Sequence, residues 1–359
     1  METFTSSSRV LVSGANGHVA QHVISQLLSR PAETRPIVRA TVRSESSAAG
    51  LKQVFASQIE DGSLELAFVP NIAEPSSFDE AVKGCTHIAH IASPLVVGAE
   101  NVERDVLTPA IRGTESILKS ALSHAGPQLE AVVVTSSFAS CFDPMHGLRP
   151  GYTYGPENWN PISYDEAADP KLDLSIYPER YRIFVTYMAS KKLAEKAAWD
   201  LYHDAKPKWR LSVVCPTYIG GPSILPLSKG SNSLSFSNGL IWKVATSGPK
   251  DELTTMDFPC WVDVRDVAQA HIQALLQPKA EGKRFILAPI KTTYAEMASV
   301  LRQRLGLNTS QKEQKEEIFD IKDEGCADVL GMRDWIGLEK MLVDTVTQTQ
   351  NAEKNKTAL

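Results

Sequence analysis

Short strand-like runs, the first of them wholly apolar, alternate with helical-period segments through the first third of the chain. Residues 10–12, Val-Leu-Val, carry no polar interruption and predict a strand buried on both faces. Residues 18–28 follow with Val19, Val23, Ile24, Leu27 and Leu28 at helical spacing, the apolar stripe of an amphipathic helix. The alternation continues, with 37–42, 64–69, 86–91 and 131–135 reading as strands and 78–82 and 105–122 as helices. Pro109 falls at or near the first turn of the longer helix, where its missing N–H is no loss. This order predicts an α/β fold, a Rossmann-type doubly wound parallel sheet.

The periodicity then breaks. Residues 143–182 are rich in Pro, Gly and Asp, hold five tyrosines and predict a long excursion of the kind usually tied to function. A helix resumes through Tyr187 to about residue 203, and a strand over 211–215 ends at Pro216. Residues 225–239, rich in Ser, Asn and Gly, read as a mobile loop. Residues 261–276, 294–305 and 334–347 read as helices, and 312–317 as a solvated charge run. No repeat and no clean linker interrupts the chain, so 1–359 reads as one unit with an interleaved, smaller C-terminal lobe. Residues 9–200 are expected to form mainly a dinucleotide-binding lobe. Residues 201–350 are expected to form mainly a substrate lobe with returning segments of the sheet, and 351–359 a disordered tail.

Composition removes some functions. A net charge of −5 leaves no basic footprint for nucleic acid. No run approaches the roughly 18 consecutive apolar residues of a membrane span, and the N-terminus lacks the pattern of a signal peptide. The five cysteines are scattered without C-x-x-C or metal spacing, which suggests a reducing, cytoplasmic setting and no metal centre.

The turn Gly14-x-x-Gly17-x-x-Ala20 stands between the first strand and the first helix, the context a dinucleotide turn requires. Gly14 permits the tight turn, Gly17 lets backbone approach a pyrophosphate, and Ala20 keeps the helix close to the sheet. The helix N-terminus adds free N–H donors for phosphate. A bound 2′-hydroxyl would require Asp or Glu after the second strand, yet the run there is Thr41-Val-Arg43-Ser44. Arg43 suits a 2′-phosphate and Ser44 can add a hydrogen bond, so NADPH is expected over NADH. Thr135-Ser136-Ser137 ends the fifth strand at the edge where open parallel sheets hold ligands, although such residues are often plain turn formers. Tyr187 and Lys191, four apart, share a helical face. A cation beside the phenol lowers its pKa from about 10 and makes it a proton donor near neutrality. Asp263 and Asp266 read as partners of Arg265 or helix caps, His87 and His90 as core, and Trp199 and Trp209 as packing.

The strings Gly14-Ala-Asn-Gly17-His-Val-Ala20, Thr41-Val-Arg43-Ser44, Phe78-Asp-Glu-Ala-Val-Lys-Gly-Cys85, His90-Ile-Ala-Ser-Pro94, Val132-Val-Val-Thr-Ser-Ser137, Glu157-Asn-Trp-Asn-Pro161, Tyr187-Met-Ala-Ser-Lys191 and Trp261-Val-Asp-Val-Arg-Asp-Val-Ala268 occur in one order. In that order the chain resembles the extended short-chain dehydrogenases/reductases. Within them it is most similar to the dihydroflavonol-reductase-like branch, especially fungal NADPH-dependent aldehyde and ketone reductases. The resemblance implies Ser137 over Ser136 as catalytic hydroxyl and Tyr187 as general acid. Lys191 would lower the tyrosine pKa and hold the nicotinamide ribose. Asn16, His18, Val19 and Ile72 would join the glycines around the cofactor, and Asn71 would meet the adenine amino group. Ala92, Ser93 and Pro94 would flank it, and Pro216, Thr217 and Tyr218 would border the nicotinamide.

Three departures accompany the resemblance. Asn71 replaces the family's common Asp, although its carbonyl can still accept from the adenine amine. Phe138-Ala139 stands where sugar-nucleotide dehydratases carry Asp-Glu, which argues against elimination. Ser137 and Tyr187 are 50 residues apart, lengthened by the excursion. The implied activity is reduction of an aldehyde or ketone to the alcohol by a monomer or homodimer. A sugar-nucleotide epimerase is one alternative, opposed by Arg43 and Phe138-Ala139. A non-catalytic NADPH-binding sensor is the other, opposed by the retention of Ser137, Tyr187 and Lys191. Phe138, Phe142, Tyr152, Tyr154, Trp159 and Tyr164, without a cluster of Arg or Lys, suggest a wall for a hydrophobic or aromatic substrate. Phe138, Phe142 and Trp159 are its expected contacts.

Overall fold

Strand β1 (Arg9–Val12) lies inside a parallel sheet, with Val10 and Val12 in the core on one face and Leu11 in the core on the other. That double burial is why the strand carries no alternating polar residue. The computed structural model describes residues 3–93, 99–314 and 319–357. Among them six more strands join β1: β2 (Ile37–Val42), β3 (Leu64–Phe68), β4 (His87–His90), β5 (Ala131–Thr135), β6 (Arg210–Pro216) and β7 (Arg284–Leu287). Their spatial order is β7-β6-β5-β4-β1-β2-β3, every pairing parallel. The chain reverses direction across the sheet between β1 and β4, so the crevice at their carboxyl ends is the topological switch point where such sheets bind ligands.

Eight helices matter for the site: α1 (His18–Leu28), α2 (Glu45–Val54), α3 (Thr108–His124), α4 (Val185–Ala205), α5 (Phe236–Ala245), α6 (Val264–Leu276), α7 (Tyr294–Leu305) and α8 (Leu338–Thr357). Val23, Ile24 and Leu27 of α1 pack with Val267 and Leu275 of α6 on one face of the sheet. Ile117 and Leu118 of α3 pack with Met188 and Ala198 of α4 on the other. A second core joins Ile241, Trp261, Met297, Leu301, Met341 and Leu342, so the smaller lobe is assembled from α5, α7, α8 and a three-stranded sheet. Its strands are Tyr218–Gly220, Cys260–Asp263 and Ile290–Lys291. Because β6 and β7 return to the main sheet, the lobes interleave. No helix of the described residues is long and apolar enough to cross a membrane.

Local readings fail where tertiary packing overrides composition. The expected loop over 225–239 becomes a 3₁₀ turn, Gly230–Ser233, followed by α5. Ser235 caps α5 by accepting from the Asn238 N–H, and Ile241 and Val244 anchor it in the second core. The helix expected from residue 261 begins instead at Val264, after a strand, with Asp263 as its cap. Strand β7 and helix α2 carry patterns too short to stand out. Residues 351–357 continue α8 instead of fraying: Thr345, Val346 and Thr349 are buried, and Glu353 accepts from the Ser231 N–H.

The excursion over 143–182 is ordered. It contains the helix Tyr164–Ala168, closed by a Ser163/Glu166 capping box, and the strand Thr153–Tyr154, paired with Asp320–Ile321. Ile162, Ala167 and Tyr177 pack on Leu107, Val185 and Ala189, covering the N-terminal ends of α3 and α4.

Candidate active site

At the end of β1 the chain turns through Gly14 at φ +66°, where a Cβ would sit 3.0 Å from the Ala92 Cα. Both the left-handed backbone and the close approach therefore require glycine. Ser13 Oγ accepts from the Ile91 and Ala92 N–H groups at 2.9 Å and bonds His90 Nδ1 at 3.0 Å, tying the ends of β1 and β4 together. Burial, then the Lys191 cation, push the His90 pKa down to about 3, so this ring is neutral. Gly17 caps α1 without a side chain, leaving the first N–H groups of the helix open toward the crevice. His18 turns inward. Its Nε2–H donates to the Gly221 and Pro222 carbonyls at 3.1 and 3.2 Å, and burial lowers its pKa to about 4.

These residues open into one cleft of about 730 Å³, which also takes in Asn16, Val19, Asn71, Ile72, Ala92 and Ser93. Arg43 lines it at the end of β2, exposed and without a hydrogen bond or ion pair among the described residues. Ser44 does not line it. Its hydroxyl caps α2, accepting from the Ser47 N–H at 3.3 Å. The Asn71 amide is already oriented, its Oδ1 accepting from the Ala73 N–H and its Nδ2 donating to Glu74, both at 3.0 Å. One lone pair of that Oδ1 remains for a further donor. Pro94 lies outside the described residues.

Ser137, Tyr187 and Lys191 meet in the middle of the cleft. Both serines border the cleft, but Ser136 is buried and its hydroxyl donates to Glu195 Oε2 at 2.6 Å, whereas the Ser137 hydroxyl has no carboxylate partner among the described residues. Ser137 Oγ accepts from the Ala139 N–H at 3.2 Å, which leaves its proton free to point elsewhere. The Tyr187 pKa does not fall as expected. Burial raises it, and the Ser137 hydroxyl, not Lys191, opposes the rise. The Lys191 ammonium lies 5.8 Å from the Tyr187 ring centroid and donates to Ser93 Oγ at 2.9 Å. Burial also lowers the lysine's own pKa, to about 8. A spacing of four put the two side chains on one face, but it could not tell that desolvation would outweigh the charge.

Pro216, Thr217 and Tyr218 close the far side. The Thr217 hydroxyl is spent on the Leu287 carbonyl at 2.9 Å. Tyr218 donates to Asp257 at 2.5 Å, a bond that pins its ring as a wall of the cleft.

Of the expected aromatic wall, Phe138 lines the cleft and the other two named contacts do not. Phe142 is fully buried among Tyr154, Tyr181 and Phe258. Trp159 lies over the Arg284 guanidinium at 3.7 Å, outside the cleft. Tyr152, Tyr154 and Tyr164 also pack elsewhere. The excursion uses these rings to fasten itself to the rest of the chain, Tyr154 in the main core, Trp159 on Arg284 and Tyr164 by a bond to Glu103. The wall comes instead from Phe184, Met188, Phe236 and Phe258. Met188, beside Tyr187, could have been inferred from helical position, whereas Phe236 was hidden in a Ser/Asn-rich stretch.

A profile of the 3-beta hydroxysteroid dehydrogenase/isomerase family matches residues 11–163. The NADPH-dependent methylglyoxal reductase of Saccharomyces cerevisiae is 30% identical over 300 residues, covering 82% of this chain and 82% of the relative. Aldehyde reductase 2 of Sporidiobolus salmonicolor is 33% identical, covering 77% of this chain and 75% of its own. The crystal structure of the yeast methylglyoxal/isovaleraldehyde reductase complexed with NADPH superposes with a TM-score of 0.84 at 28% identity, over 96% of this chain and 99% of that one.

Proposed function

From the premise that the chain belongs to the extended short-chain dehydrogenase/reductase family, alongside fungal NADPH-dependent reductases, we propose that it reduces an aldehyde or ketone to the alcohol. The observation that carries this reading is the convergence of Ser137, Tyr187 and Lys191 in one cleft with the Gly14–Gly17 turn. The residues fit NADPH: the Gly14 turn tolerates no Cβ, the N-terminus of α1 has no side-chain cap, and Arg43 is a cation without a partner among the described residues. When bound, NADPH supplies the hydride that the carbonyl carbon receives.

The chain's own groups handle the oxygen and the proton. Ser137 Oγ–H and the Tyr187 phenol donate hydrogen bonds to the substrate carbonyl oxygen, orienting it and stabilising developing negative charge. Tyr187 then releases its proton to that oxygen as general acid. Its raised pKa keeps the phenol protonated before the reaction. Lys191 holds Ser93, and its positive charge stabilises the phenolate left behind. The hydrophobic wall of Phe138, Phe184, Met188, Tyr218, Phe236 and Phe258 excludes water and favours an apolar or aromatic carbonyl compound. Lys191 and Arg43 are the only Lys or Arg among the described lining residues, which disfavours a sugar-nucleotide diphosphate. The five buried free thiols suit the reducing cytoplasm.

The test is a panel of aryl, alkyl and charged aldehydes and ketones followed through NADPH absorbance, with the Tyr187→Phe variant beside the unaltered protein. Aryl and bulky apolar carbonyls should turn over best. Tyr187→Phe should lose about 10²–10⁴-fold in turnover while keeping NADPH affinity. Absence of NADPH oxidation across the panel would overturn the reading.

A further inference from the structure

Tyr187, Lys191 and Glu195 sit at four-residue spacings on α4 and so form one stripe along the helix. Glu195 has no exposed side-chain surface, and the proposed chemistry makes no use of it. Its Oε2 accepts from Ser136 Oγ at 2.6 Å, and Ser140 Oγ lies 2.7 Å from the same oxygen. These serines bracket Ser137. Ser140 Oγ is also 2.8 Å from the Ser137 carbonyl oxygen, so its single proton is shared between carbonyl and carboxylate. On the other side, Glu195 Oε1 accepts from Trp199 Nε1 at 3.2 Å and from Arg284 Nε at 2.5 Å. Arg284 Nη2 reaches Ser140 Oγ at 3.0 Å, and its Nη1 donates to the Pro156 and Asn158 carbonyls at 2.6 and 2.7 Å. Trp159 covers the guanidinium.

Burying a carboxylate and a guanidinium seldom gains stability over apolar residues of similar volume, because desolvation offsets the attraction. A fixed geometry is what such a pair can supply. The β5–β6 ladder reaches only as far as the Ser136 N–H, which donates to the Val214 carbonyl at 2.8 Å; beyond it the segment has one short 3₁₀ turn, Phe138–Ser140, and a single bond from the Asn160 N–H to the Ser140 carbonyl at 2.8 Å. The carboxylate bolts that segment to the helix that carries Tyr187 and Lys191. We propose that Glu195, braced by Arg284 and the 156–159 segment, is a positioning residue that sets the separation of Ser137 from Tyr187 through Ser136 and Ser140. The inference rests on Ser137 and Tyr187 being the groups that meet the carbonyl. Displacements near 1 Å at reacting groups can cost about 10²-fold.

The experiment cuts the tether and leaves the ion pair in place, with Ser136→Ala and Ser140→Ala combined. At saturating NADPH and carbonyl, kcat should fall at least about tenfold, while the NADPH Kd stays within about twofold. In a Ser137→Ala background the same two changes should lower kcat by no more than about twofold, since the tether acts through Ser137. A readout independent of turnover is the Cζ chemical shift of Tyr187 in ¹³C-tyrosine-labelled protein with NADPH, assigned from Tyr187→Phe. It should move in the tether variant in the direction that Ser137→Ala moves it. Should the double variant fail to fold, Ser140→Ala alone should give the same pattern at smaller size. An unchanged Tyr187 shift, or an equal kcat loss in the Ser137→Ala background, overturns the proposal. If the unaltered protein reduces no carbonyl but the shift responds as described, the functional reading fails and the positioning role stands.

Discussion

Arg43→Ala should weaken NADPH binding about tenfold and leave NADH binding almost unchanged. The size follows from where the side chain sits. Hydrogen bonds to charged groups contribute about 1.5–3 kcal/mol, but Arg43 is exposed and its field is screened by solvent. The lower end, about 1.5 kcal/mol, is therefore appropriate and corresponds to roughly tenfold. Arg43 has no partner among the described residues, so its removal strands no buried charge and should leave the thermal midpoint where it was. The assay is fluorescence titration of both cofactors at about 0.1 M and about 1 M salt, where the screening length falls from about 10 Å to about 3 Å. The difference between variant and unaltered protein should shrink at the higher salt. An equal loss for NADPH and NADH would mean that Arg43 acts on a part common to both, and would refute the assignment to the 2′-phosphate.

Lys191→Met should lower both kcat and NADPH affinity, because the ammonium holds Ser93 and faces the phenol; steady-state kinetics with a cofactor titration checks this, and a loss confined to KM for the carbonyl would contradict it. Phe236→Ala, at an exposed ring on the cleft, should raise KM for aryl ketones by up to about tenfold, with little change in stability. Phe142→Leu, in contrast, should cost about 1–3 kcal/mol in urea unfolding and leave the substrate ranking intact, since that ring is fully buried. Burial holds the pKa of His18, His87 and His271 down to about 4 and of His90 to about 3, so these rings stay neutral in the folded protein. The unfolded chain takes up their protons below about pH 6.5, so their contribution is complete above that value and is lost as pH falls toward about 4, at most about 2 kcal/mol per histidine at pH 5. Asp266, raised to about 6 by burial, and Asp257, also raised by burial, act in the opposite direction, but they are two groups against five once His22, which burial also lowers, is included; a thermal midpoint equal at pH 7 and pH 5 would refute the net sign.

Most of the half of the cleft proposed to hold the cofactor was legible because its requirements are local. A left-handed Gly14, an uncapped helix start at Gly17 and a cation at the end of β2 are each written in a few consecutive residues. The spacing of Tyr187 and Lys191 is likewise a property of one helix. Apolar runs identified β1 and β5 because both faces of the sheet are buried there, which removes polar residues from the strands.

What lay beyond the sequence depends on distances between remote segments. In irregular stretches no period tells whether an aromatic ring faces a cleft or a core, so Phe142 and Trp159 could not be separated from Phe138, nor could Phe184, Phe236 and Phe258 be chosen. The preference proposed for Ser137 over Ser136 rests on a carboxylate 59 residues from Ser136 that captures its hydroxyl. The direction of the Tyr187 pKa is a balance of desolvation against charge, and desolvation is counted only when every neighbour is in place. Spacing therefore determined which residues could act. Packing decided which of them face the cleft, and with what proton affinity, because burial and long-range contact are sums over the whole fold.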